Sequence, residues 1–154
     1  EIYVSDSLPA FRKNLLKEKA EVYRYRFTNN YRNIGLHRDL VARLAEAFEF
    51  GEKDVYYIKL LVDEILMNAF LHGALEPGKD CTELDILLAH GKLLITVKDF
   101  AGREFDDYPF HFRQEKKHEK GGLSLIEELS DDWQVTNKPG KTTEVSFFKT
   151  ASGN

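Results

Sequence analysis

From Lys53 to Gly73 the apolar residues Ile58, Leu61, Val62, Ile65, Leu66 and Ala69 recur at steps of three and four. One α-helix places all six on a single broad face, and a strand cannot. Asp54 is positioned as its N-cap and Gly73 as its stop. A helix this apolar needs a second layer to cover it, and the flanking segments supply strands.

Glu21 to Phe27 alternates strictly, with Tyr23, Tyr25 and Phe27 inward and Arg24 and Arg26 in solvent. Leu84, Ile86 and Leu88 alternate in a second run and Leu93, Ile95 and Val97 in a third, with His90-Gly91 as the hairpin turn between them. Trp133 to Asn137 and Thr143 to Phe148 make another hairpin around Pro139-Gly140-Lys141. Pro9 to Ala20 reads as a short polar helix, with proline suited to a first turn. Tyr31 to Phe48 reads as a helix with Leu40, Val41, Leu44, Ala47 and Phe48 along one side, closed by Gly51, and Leu123 to Leu129 as another. Ala101 to Lys120 is polar and aperiodic, of a length at which a loop is functional or mobile. Helices and hairpins are segregated, so the expected class is α+β: a two-layer α/β sandwich, with a mixed, mostly antiparallel sheet covered on one face by helices.

Composition narrows the function classes. The 154 residues are 42% apolar, 12% aromatic and 31% charged, an ordinary globular balance for one domain with one core. Lys+Arg and Asp+Glu number 22 and 26, so the net charge is 22 − 26 = −4, with no basic block to form a nucleic-acid footprint. No apolar run approaches the ~20 residues that span a bilayer. Cys81 is alone, which excludes an internal disulfide and a cysteine-based metal cluster, and the five histidines show no pair at metal-ligand spacing. The chain opens at Glu1 without a signal-peptide pattern, which reads as a piece trimmed from a longer, cytoplasmic protein. Residues 1–20 are expected as an extension with a short helix, and 21–150 as the main domain.

Three features could carry chemistry. Glu64, Asn68 and His72 lie four residues apart on the long helix, forming a polar stripe that borders its apolar face. Taken alone, such a stripe is most often solvated side chains beside a core. Asp99 ends an aliphatic strand and is followed by Phe100-Ala101-Gly102, where small residues allow a close backbone approach; a plain turn has the same composition. Gly121-Gly122-Leu123 then opens a helix, exposing backbone N–H groups to an anion or simply forming a hinge.

In this order the motifs resemble the GHKL (histidine-kinase-like, Bergerat) ATPase superfamily, and within it the anti-sigma factor and serine-protein-kinase branch. The resemblance covers Tyr23 to Phe148, and Glu64-Ile65-Leu66-Met67-Asn68-Ala69-Phe70-Leu71-His72-Gly73 is its most specific part. It implies ATP or ADP and Mg²⁺ as cofactors, with Asn68 as the metal ligand and Glu64 as the catalytic base. It implies Asp99, with Gly102 nearby and Thr143 on the last strand, at the adenine, and Gly121, Gly122 and Leu123 at the phosphates. The stretch of about 101–120 takes the ATP-lid position, with Lys120 the best-placed cation. Ala101, Ser124 and Thr142 stand where the family usually has glycine.

The function implied is a bacterial, cytoplasmic regulator of transcription that binds a sigma factor or similar regulator and phosphorylates a serine on an antagonist protein. A homodimer is expected, and neither nucleic acid nor membrane as partner. Two further readings remain at this stage: an inactive module that sequesters a partner, and the catalytic domain of a sensor histidine kinase. Trp133, Phe147 and Phe148 are expected in the core, and Tyr56-Tyr57 could serve either a partner surface or ordinary packing.

Overall fold

The computed structural model describes residues 4–72, 81–100, 123–138 and 142–152. In chain order they form α1 (Leu8–Lys17), β1 (Glu21–Thr28), α2 (Arg32–Ala47), α3 (Glu52–His72), β2 (Cys81–Ala89), β3 (Lys92–Asp99), α4 (Leu123–Leu129), β4 (Asp132–Lys138) and β5 (Thr142–Thr150). The class is the expected α+β sandwich. Its five strands run in the order β1-β2-β3-β5-β4, and every ladder between them is antiparallel.

Strand periodicity sorts the side chains into two layers. On one face Tyr23, Tyr25 and Phe27 of β1 join Leu84, Ile86 and Leu88 of β2, and Leu93, Ile95 and Val97 of β3. Val145 and Phe147 of β5 and Trp133 and Val135 of β4 complete that layer. It packs against Val41 and Ala45 of α2, Ile58, Leu61, Val62, Ile65 and Leu66 of α3, and Ile126 of α4. The other face carries a smaller cluster, in which Leu8 and Leu15 of α1 meet Ala89, Leu94 and Phe148. Phe11 stacks on Phe148 with ring centroids 4.1 Å apart. Trp133, Phe147 and Phe148 are thus all buried, with Phe148 on the α1 side.

Helix ends depart from expectation in two places. Gly51 does not close α2. Glu49 takes the left-handed conformation at φ 73°, and Phe50 N–H donates to Ala45 C=O at 3.1 Å, which closes a Schellman motif. Gly51 instead caps α3, its carbonyl accepting from Val55 N–H at 2.9 Å. Asp54 is not the N-cap either. It lies in the first turn of α3, buried, where it accepts from the Ser152 N–H and hydroxyl at 2.8 Å each, with the Lys149 ammonium 3.8 Å away. This cluster ties the end of the chain to the start of α3.

Candidate functional site

The direction of α3 over the sheet follows from its two ends. Asp54, in its first turn, lies beside Lys149, which pairs with Leu93 at the start of β3. Near its last turn, Phe70 approaches the Phe27 ring, with centroids 6.0 Å apart. Phe27 pairs with Thr82, and Thr82 with Asp99. The C-terminal half of α3, carrying Glu64, Asn68 and His72, therefore lies toward the Asp99 end of β3.

At that end the inward layer turns from apolar to polar in one row. Thr82, Asp99, Thr143 and Asn137 are successive register partners on β2, β3, β5 and β4. Their exposures are 0%, 3%, 3% and 8%. Each occupies the inward parity of its strand, two residues beyond Leu84, Val97, Val145 and Val135. A buried polar side chain needs hydrogen-bond partners, and the row supplies some of its own. The Thr82 hydroxyl donates to Asn29 Oδ1 at 2.7 Å, and Asn137 Nδ2–H donates to Thr143 Oγ1 at 2.6 Å. Asn29 is itself buried just past β1.

The stripe on α3 is half-buried at Glu64 and Asn68. Neighbouring Asp63 faces Arg38 of α2 at 3.4 Å, and Arg38 also bonds Asp39 at 3.0 Å. That hydrogen bond, with the guanidinium charge, holds the Asp39 carboxyl below its ordinary value, and it raises Arg38 in turn. The Arg38–Asp63 bridge fixes how α2 sits beside the stripe. α4 packs against α3 through buried Ile126, with Leu123 as its first residue.

Of the residues singled out from sequence, the structure sets Asp99 and Thr143 opposite each other in one ladder and puts Glu64 and Asn68 on the helix above that face. Gly102, Lys120, Gly121 and Gly122 lie outside the described residues, as do Ala101 and the lid. Two of the three glycine departures are described. Ser124 is helical and Thr142 opens β5, and positive φ among described non-glycine residues occurs only at Lys19 and Glu49. Neither departure therefore meets a left-handed backbone that a side chain would strain. Asn29, Thr82 and Asn137 were missed. A signal was present in the sequence: polar residues at the inward parity of four strands, all at the same end.

No helix among the described residues is long and apolar enough to cross a membrane. The fold is shared with two solved structures at low identity. One contains the RsbU and RsbW domains of Rv1364c from Mycobacterium tuberculosis: TM-score 0.63, 13% identity, 87% of this chain covered but 33% of that one. The other is the SiaB–SiaC complex from Pseudomonas aeruginosa: TM-score 0.61, 13% identity, with 92% of this chain and 96% of that one covered. No curated protein matches the chain. The model of the histidine kinase-like ATPase domain matches residues 27–148, which span β1 to β5 and the whole polar row, and the chain belongs to that family.

Proposed function

We propose that this chain is an ATP-binding regulatory kinase. It binds a sigma factor or similar regulator in one state, and it phosphorylates a serine of an antagonist protein. The observation that carries the nucleotide site is Asp99, a carboxylate buried at a strand end within a polar row and beneath the helix that bears Glu64 and Asn68. A buried carboxylate takes several donors on its lone pairs, and the adenine amino group is such a donor. The residues present therefore fit the nucleotide. Asn68 would hold Mg²⁺ through its carboxamide oxygen, as one of few protein oxygens on a metal that also takes phosphate. Mg-ATP, when bound, supplies the phosphoryl group and neutralises its charge.

Glu64 would take the proton of the substrate serine hydroxyl as its oxygen bonds to phosphorus. Gly102, Lys120, Gly121, Gly122 and Leu123 would keep the nucleotide-side roles that the family resemblance implies. A protein partner is supported by the complex in which the SiaB-like fold was solved, and nearly all of that chain is covered by this one. A cytoplasmic location and a homodimer belong to the same proposal.

Calorimetric titration with ATP and ADP, with and without Mg²⁺, tests the nucleotide site. Micromolar, Mg-dependent binding is expected. Asn68→Ala should abolish the Mg dependence while leaving the far-UV circular dichroism unchanged. No binding at millimolar nucleotide would overturn the reading, and unchanged affinity in the variant would overturn the metal assignment. Given binding, radiolabel transfer from ATP to a serine of a candidate antagonist tests the kinase activity.

A further inference from the structure

Two threonines flank Asp99 in the sheet, Thr82 on β2 and Thr143 on β5, and their hydroxyls are set in opposite senses. Thr82 gives its proton to Asn29 Oδ1 at 2.7 Å. Thr143 Oγ1 instead accepts from Asn137 Nδ2–H at 2.6 Å. A hydroxyl has one proton, and an oxygen that accepts on one side keeps that proton for another. Because Asn137 is the Thr143 partner on β4, the remaining side of the hydroxyl is that of β3 and Asp99. All four side chains are buried, where water competes little for these bonds.

We propose that Asn137 is a positioning residue that fixes the Thr143 hydroxyl as a donor, so that Asp99 and Thr143 together read the amino edge of a purine as an acceptor beside a donor. This rests on the nucleotide reading above and adds a specificity determinant to it. Adenine offers an amino donor beside a ring-nitrogen acceptor, which complements the pair. Hypoxanthine offers the reverse, a carbonyl oxygen beside a ring N–H. A freely turning hydroxyl could accept from that ring N–H and tolerate hypoxanthine. A hydroxyl held by Asn137 cannot do so without losing its buried bond.

The test is the ratio of ATP to ITP affinity in Asn137→Leu, which removes the donor, and in Asn137→Asp, which has the same size but only accepts. Each should lower the ratio about tenfold, the scale of one hydrogen bond. Asn137→Ser, which retains a donor, should recover part of it. In a Thr143→Val background the same changes should leave the ratio alone, because Asn137 acts through that hydroxyl.

A ratio unchanged by both variants, or a change that persists without the Thr143 hydroxyl, overturns the inference while leaving ATP binding in place. Absence of ATP binding by the unaltered protein overturns the nucleotide reading itself, and the inference with it. Should the variants melt below the assay temperature, the side-chain amide of Asn137 in the unaltered protein decides by NMR. Slow exchange of one Nδ2 proton is expected, and exchange as fast as that of an exposed carboxamide overturns the assignment.

Discussion

Lys19 and Glu49 end α1 and α2 at φ 58° and 73°, each as the left-handed residue of a Schellman motif. The bonds are Ala20 N–H to Leu15 C=O at 3.0 Å and Phe50 N–H to Ala45 C=O at 3.1 Å. Side chains with a Cβ are strained there, and glycine is not. Glu49→Gly should therefore stabilise the protein by about 1 kcal/mol, seen as a higher urea midpoint at unchanged slope. The only bond lost is the exposed ion pair with His90 at 3.7 Å, which contributes little. A lower midpoint would mean that the Glu49 side chain holds the turn. The same residue explains why the end of α2 was misread. Glycine is the usual marker of a left-handed stop, and here Gly51 lies two positions on, capping the next helix. The marker was present, but the geometry belonged to a residue with no such signature.

At the scale of elements, α3 was the easiest to read, because six apolar residues share one face and bury together. The β2–β3 and β4–β5 hairpins were equally legible from alternation and turn residues. What alternation does not record is which strands from different hairpins meet. The β3–β5 ladder that joins the hairpins, and with it the Asp99–Thr143 pair, emerges only on folding. Glu64, Asn68, Asp99 and Thr143 were legible as a motif, whereas Asn29, Thr82 and Asn137 depend on that lateral order. Asp54 shows the same limit. Its place in the first turn of α3 was clear, but its partners Ser152 and Lys149 come from the far end of the chain. Lys149 is nearly buried and donates to Leu129 C=O at 3.0 Å, so removing Asp54 would leave its charge uncompensated. Asp54→Ala should cost about 3 kcal/mol in urea unfolding. A loss below about 1 kcal/mol would show that the carbonyl alone satisfies the ammonium.

For the whole molecule the question is what the first twenty residues contribute, since the family match begins only at residue 27. α1 lies on the sheet face opposite α2 and α3, where Leu8 and Leu15 bury Ala89, Leu94 and Phe148. Ser5 and Ser7 both bond to Asp132 at the start of β4, and Ser5 N–H donates to Gln134 Oε1 at 3.1 Å, so the segment also covers an edge strand. Arg12 reaches Thr96 at 3.4 Å, where Thr96 and Ser146 pair across the β3–β5 ladder at 2.8 Å. Removing residues 1–20 would expose that apolar cluster and one sheet edge together, the combination that promotes association between chains. The truncated chain should melt well below the full one and self-associate as its concentration rises in sedimentation experiments. Leu15→Ala, which opens a cavity but keeps the edge covered, should cost about 3 kcal/mol yet leave the association state unchanged. If the truncated chain melts with the full one, α1 is an appendage and the matched region folds alone. If Leu15→Ala also self-associates, the apolar cluster rather than the edge governs association. The predicted order, with the truncation worst and the point variant intermediate, follows only if α1 both completes the core of the sheet's second face and shields β4.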